Sequence, residues 1–323
     1  MKAVGGTIYE RLEEIGVVPV VKLEDTGKAA DLAGALREGG LNAVEITFRA
    51  QGADGVIRQI VKEFPDMLVG AGTVLTCAQA DAAIGAGAKF LVAPGLNPKV
   101  AKRSAEAGVP FIPGVSSGSE IEAAMELGLG HVKFFPAEQA GGLAYIKAVS
   151  APYSGMRFMP TGGISEKNLA EYLSFDKVFA CGGSWMVAPE LIERERWEDV
   201  AALCRAASDK MLGFELAHIG INCADENAAD AVAAGFAGAF GFAKKPGGGS
   251  IFAGSGIEVM KSKGLGEHGH IAVKTNSVLR ALYALKNKGF EADAGTAKYD
   301  GGKIKAVYLK ASFGGFAVHL LQK

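Results

Sequence analysis

His131-Val132-Lys133-Phe134-Phe135-Pro136-Ala137-Glu138 is a short apolar run broken by a single cation and closed by a proline. A run of this length with apolar residues on both faces reads as a strand of a parallel sheet that helices cover on its outer side. Outward from it, similar runs recur at 17–23, 43–48, 68–74, 90–94, 110–115, 157–163 and 178–184, at intervals of about 20–26 residues. Amphipathic helical patterns such as 28–38, 53–63 and 120–127 lie between them. Strands alternating with helices give an α/β fold, and eight such repeats predict a closed (β/α)₈ TIM barrel. A doubly wound sheet shares the alternation, but the count of eight favours the barrel.

The chain has 323 residues, nearly half of them apolar and 45 of them glycine. That length suits a barrel plus a smaller partner. Residues 1–15 read as a helix that plugs the bottom of the barrel or packs beside it, and a polar helical stretch over 190–211 leads out of the barrel. The pattern then changes to a strand at 214–223, a helix at 225–235 and strands around a turn at 250–260. Strand 268–275, helix 277–288 and strands 303–310 and 315–321 follow. Two β-α-β-β-β units in succession predict a smaller α+β domain, dividing the chain into domains 1–213 and 214–323.

The formal net charge of −1 offers no basic surface for nucleic acid and no charge block for a membrane. No apolar run reaches the roughly 20 residues that span a bilayer, and the first residues lack a signal-peptide core. Cys77, Cys181, Cys204 and Cys223 are scattered without a C-x-x-C pair. Free thiols in a cytoplasmic protein are the expectation.

Polar and glycine-rich residues gather at the C-terminal ends of the barrel strands, where barrel enzymes carry their chemistry. Lys133 lies among apolar neighbours, and lysine is rarely buried without a reason. Desolvation disfavours an ammonium and can free an amine able to attack a carbonyl; a lysine that snorkels to water is the plain alternative. Glu45, in Val44-Glu45-Ile46-Thr47-Phe48-Arg49, is a carboxylate inside an apolar strand. It suits a general acid/base beside an imine, or a structural ion pair. Arg49 suits a substrate carboxylate, or is a surface arginine. Thr161-Gly162-Gly163 and Gly182-Gly183-Ser184 end strands seven and eight. Glycine pairs on those two loops suit a phosphate, although glycine also serves plain turns.

Together with Val18-Pro19-Val20, Gly70-Ala71-Gly72-Thr73-Val74 and Pro94-Gly95-Leu96, these motifs resemble the family of 2-keto-3-deoxy-6-phosphogluconate (KDPG) and 4-hydroxy-2-oxoglutarate (KHG) aldolases over about residues 7–210. The resemblance implies a metal-independent class I aldolase, a carbon–carbon lyase of carbohydrate metabolism and the Entner-Doudoroff pathway. It would cleave KDPG to pyruvate and glyceraldehyde 3-phosphate, or KHG to pyruvate and glyoxylate. It further implies Lys133 as the Schiff-base residue, Glu45 as acid/base, and Arg49 and Thr73 as holders of the pyruvate carboxylate. Thr161 would set stereochemistry, Gly162, Gly163, Gly183 and Ser184 would take the phosphate, and Pro94 and Phe135 would shape the pocket. No cofactor is implied for the aldolase; a small phosphorylated keto acid is the implied partner and a homotrimer the implied assembly. A phosphosugar epimerase would share loops seven and eight but has no need of an imine.

Residues 214–323 resemble the vicinal-oxygen-chelate, or glyoxalase-like, superfamily on Ala217-His218-Ile219-Gly220-Ile221, Gly256-Ile257-Glu258-Val259, Gly269-His270-Ile271 and Val318-His319-Leu320. Aligned by strand, that resemblance implies a divalent metal held by His218, Glu258, His270 and His319. Two features depart from it: His319 stands where glutamate is common, and Ala311-Ser312-Phe313-Gly314-Gly315 replaces the usual turn before the last strand. Strand histidines without any metal are the alternative. The opposing reading for the whole chain is a non-catalytic barrel that carries a metal-dependent glyoxalase- or dioxygenase-like C-terminal domain.

Overall fold

The computed structural model describes residues 6–323. Thr7 opens the first helix, Ile8–Ile15, with a capping box: its hydroxyl accepts from Glu10 N–H and Glu10 accepts from Thr7 N–H. Gly16, at φ 76°, ends it. The first five residues of the helix expected at 1–15 lie outside the described residues. Tyr9 stacks on His131, and Glu13 pairs with Arg157 at 2.8 Å. Both contacts sit where strands begin, so the helix covers the N-terminal ends of those strands.

The chain divides into two compact units, one ending at Met211 and the other spanning Leu212–Lys323. The first unit is α/β. Its strands are β1 (Val17–Val21), β2 (Ala43–Thr47), β3 (Leu68–Gly72), β4 (Phe90–Val92), β5 (Phe111–Ile112), β6 (Gly114–Val115), β7 (His131–Phe134), β8 (Arg157–Pro160) and β9 (Cys181–Gly183). All their pairings are parallel. Six strands follow the order β5-β4-β3-β2-β1-β9 and three the order β6-β7-β8, giving a curled sheet. The fifth expected run is split at Pro113, which has no N–H to donate; its carbonyl accepts from Lys133 N–H at 2.8 Å. Parallel bridges join Phe158 to Val178 and Thr161 to Gly182. Continuous burial along β1, β2 and β3 accounts for the unbroken apolar runs. Thr76, Asn97 and Ser117 cap the helices that leave β3, β4 and β6.

The second unit holds β10 (Glu215–Asn222), β11 (Lys244–Pro246), β12 (Ser250–Ala253), β13 (Ile257–Met260), β14 (Gly269–Thr275), β15 (Lys298–Asp300), β16 (Lys303–Phe313) and β17 (Phe316–Gln322). Helix Glu226–Phe240 follows β10 and helix Val278–Asn287 follows β14. Asp225 and Ser277 cap them in the same place in each half. One eight-stranded sheet results, ordered β11-β12-β13-β10-β14-β17-β16-β15. Ala229 and Ala233 of the first helix pack on Ile251 and Val259. Side chains alternate along a strand, so Ser250 and Glu258 belong to the opposite face. No helix among the described residues is long and apolar enough to cross a membrane.

Candidate functional site

In the first unit Lys133 Nζ lies 3.4 Å from Glu45 Oε1, with both side chains almost wholly buried. β2 and β7 supply them from opposite parts of the curled sheet. Gly72, paired with Thr47, makes the room: a Cβ there would lie 2.1 Å from Glu45 Oε1. Lys133 Nζ sits over the Phe135 ring, 5.3 Å from its centroid. Glu45 Oε2 and Thr47 Oγ1 are buried without a hydrogen-bond partner among the described residues. Thr47 shares the strand face of Glu45. Sequence reading passed it over because threonine is ordinary in strands, and the two-residue spacing from Glu45 was its only signal.

The other expected residues lie at or just past the C-terminal ends of strands in the same unit. Arg49 is exposed just past β2 and pairs with no acid among the described residues. Thr73 follows β3 at φ 55°, a left-handed conformation costly for a β-branched residue. Pro94 follows β4, and Gly114 must lack a side chain because a Cβ would meet the Pro94 carbonyl oxygen at 2.0 Å. Thr161 is buried, and a Cβ on Gly182 would lie 2.4 Å from its hydroxyl.

Gly162 and Gly163 hold φ values of 97° and 79°, and their N–H groups meet no acceptor among the described residues. Asn168 pins this loop, accepting from Ser165 N–H and donating to the Gly163 carbonyl. Glu138 packs beneath it and accepts a short hydrogen bond from the buried Tyr172 hydroxyl. Gly183 leaves space for the Trp185 ring, and Ser184 is exposed beside it.

In the second unit His218, His270 and His319 bring one ring nitrogen each within 4.8 Å of one another. Glu258 Oε2 lies 3.0 Å from His218 Nε2 and 3.1 Å from His270 Nε2. Sheet register explains the grouping. Glu258 and His270 flank Gly220, while His218 and His319 flank Ala272. Small residues stand between large ones, and a Cβ on Gly220 would lie 2.1 Å from the His270 ring. The two histidines hold the Glu258 carboxyl well below the usual carboxylate range. Burial, with His270 and His218 adding, pushes His319 down to about 4. Both His319 ring nitrogens are buried without a hydrogen-bond partner among the described residues. Tyr308 stacks on His319, and Phe252 meets His218 edge-on. His268 stands apart, against Phe316. Neither Tyr308 nor Ser250, which reaches Glu258, carried a signal in the sequence.

Comparison with known proteins bears on the first unit. Residues 8–203 match the family profile of KDPG and KHG aldolases. A 2-dehydro-3-deoxy-phosphogluconate aldolase of Treponema pallidum is 50% identical over 197 residues, covering 61% of this chain and 94% of that protein. The KHG/KDPG aldolase of Escherichia coli is 41% identical over 191 residues, 59% of this chain and 90% of that one. Among solved structures, KDPG aldolase of Legionella pneumophila, with pyruvate captured as a covalent carbinolamine, aligns with TM-score 0.60 and 38% identity. That alignment covers 62% of this chain and 97% of the other.

Proposed function

The chain belongs to the KDPG and KHG aldolase family, and from that premise we propose that it cleaves KDPG to pyruvate and glyceraldehyde 3-phosphate, and KHG to pyruvate and glyoxylate, through an imine on Lys133. The observation that carries this reading is the buried Lys133–Glu45 pair at 3.4 Å. A lysine held in an apolar interior beside one carboxylate oxygen can pass it a proton and present a free amine. That amine adds to the C2 ketone, and loss of water leaves a cationic iminium. The cation takes up the electron pair of the C3–C4 bond as the C4 hydroxyl gives its proton to Glu45. The aldehyde leaves, C3 of the enamine regains a proton, and water releases pyruvate and Lys133.

In this reading Arg49 and Thr73 hold the substrate carboxylate, and Pro94 and Phe135 bound the pocket. Thr161 faces the cleaved bond. Gly162, Gly163, Gly183 and Ser184 receive the phosphate, which the unsatisfied Gly162 and Gly163 amides support. The bridges Phe158–Val178 and Thr161–Gly182, with the single segment running through β5 and β6, support one closed (β/α)₈ barrel. A cytoplasmic homotrimer is the state we assign to it from the family resemblance.

Borohydride reduction in the presence of pyruvate tests the chemistry. The intact chain gains a stable adduct on Lys133, whereas Lys133→Ala gains none. Glu45→Gln still forms the adduct but turns over about 10²–10⁴-fold more slowly. An unlabelled wild type, or a labelled Lys133→Ala, overturns the assignment.

For the second unit we propose a glyoxalase-like domain that holds a divalent transition metal through His218, Glu258, His270 and His319. Three imidazoles and a carboxylate suit such an ion, and the unpartnered nitrogens of buried His319 support the fit. A cation held there would polarise an oxygen ligand. The full-length protein, purified and dialysed against Co²⁺ and then buffer, retains one ion per chain, and His218→Ala retains none. Equal metal content in the two proteins overturns this reading.

A further inference from the structure

Ser250 opens β12, and Phe252, two residues on, pairs with Glu258 of β13. The Ser250 hydroxyl is buried and donates to Glu258 Oε1 at 2.7 Å. The other oxygen, Oε2, is the one that meets His218 Nε2 and His270 Nε2. The two oxygens of one carboxylate thus have separate partners. A free carboxylate can offer an ion either oxygen or both; this one is turned so that a single oxygen faces the histidines.

We infer that Ser250 is a positioning residue which fixes Glu258 as a one-oxygen ligand, so that the centre keeps a coordination position for an oxygen-bearing small molecule. The inference rests on the metal reading of the four-residue cluster and extends it to a residue that touches no ion. Two further observations carry it. First, among the described residues Ser250 is the neighbour outside the histidine cluster that engages Glu258, so Oε1 depends on this one hydroxyl for its orientation. Second, the backbone around Ser250 is itself anchored: its carbonyl accepts from Gly247 N–H at 2.8 Å, and its pairing with Met260 sets the register of the hairpin. The hydroxyl therefore has a defined place from which to donate. Groups that orient a ligand in this way commonly change metal affinity by about 10–100-fold when removed.

The test uses the full-length chain and Co²⁺ alone as the probe, read by affinity and by the visible absorption of the bound ion. Ser250→Ala is expected to bind Co²⁺ about 10–100-fold more weakly and to show an altered spectrum, because the freed Oε1 can join or replace Oε2. Ser250→Thr, which keeps the hydroxyl, is expected to restore both readings. A Ser250→Ala protein with wild-type affinity and spectrum overturns the inference while leaving the metal reading intact. Weakened binding with an unchanged spectrum, equal in the Ala and Thr variants, reduces Ser250 to a packing role and also overturns it. A wild type that binds no Co²⁺ removes the metal reading itself.

Discussion

His131 begins β7 stacked on Tyr9, with ring centroids 3.9 Å apart. Burial, with Arg157 adding, pushes its pKa down to about 4 from the usual 6.5, against a smaller opposing pull from Glu13. The unfolded chain therefore binds a proton between about pH 6.5 and 4 that the folded chain refuses, and stability falls as pH drops through that window. His131→Phe keeps the stack and removes the proton. Urea unfolding at pH 7 and pH 5 should show a smaller loss for this variant than for wild type. At this scale legibility followed contrast. Lys133 and Glu45 stood out because a charge inside an apolar strand is unusual. Thr47 and Ser250 did not, because neither residue type is out of place where it sits. Only the burial of one hydroxyl and the partner of the other mark them.

Between elements, the Tyr172–Glu138 hydrogen bond ties helix Leu169–Ser174 to the segment after β7. That segment in turn supports the loop after β8 through Ala137 N–H to Thr161 O and Glu138 N–H to Gly162 O, at 2.8 and 3.1 Å. Tyr172→Phe removes the shared anchor at a cost of about 1–2 kcal/mol. Because Gly162 and Gly163 are the groups assigned to phosphate, the KM for KDPG should rise while that for unphosphorylated KHG stays near wild type. Steady-state kinetics on the two substrates decide this; equal changes would separate the anchor from the phosphate end. The buried strands of the first unit were readable because their apolar runs are continuous. The break at Pro113 was hidden, since a proline inside an apolar run looks like its end. β11 and β15 escaped notice because Lys244–Pro246 and Lys298–Asp300 are short, polar edge strands, and the exposed edges of a sheet favour such residues over an alternating pattern.

At the scale of the molecule, two compact units carry separate sets of candidate functional groups: Lys133 and Glu45 lie in the first and the histidine cluster in the second. A chelator should leave aldolase turnover unchanged and lower the melting transition of the second unit alone. By mass action, an ion at 100 times its dissociation constant stabilises the unit that binds it by about 2.7 kcal/mol. Calorimetry with and without chelator reads both halves in one scan, and a parallel fall in the first transition would contradict independent sites. A change of pattern after 190–211 is legible in the sequence, but not the fact that the strands after it join one sheet.

The order of that sheet also bears on how the protein is made. β13 and β10 come from the first repeat and β14 and β17 from the second, yet the four lie side by side as β13-β10-β14-β17. A ribosome releases His218 first, Glu258 and His270 later and only 12 residues apart, and His319 last, 49 residues after His270. In the proposed metal centre the nascent chain therefore presents three of the four donors before the last, and firm capture of a cation there would wait for β17 to dock against β14, so that metal uptake at such a centre would mark completion of the sheet.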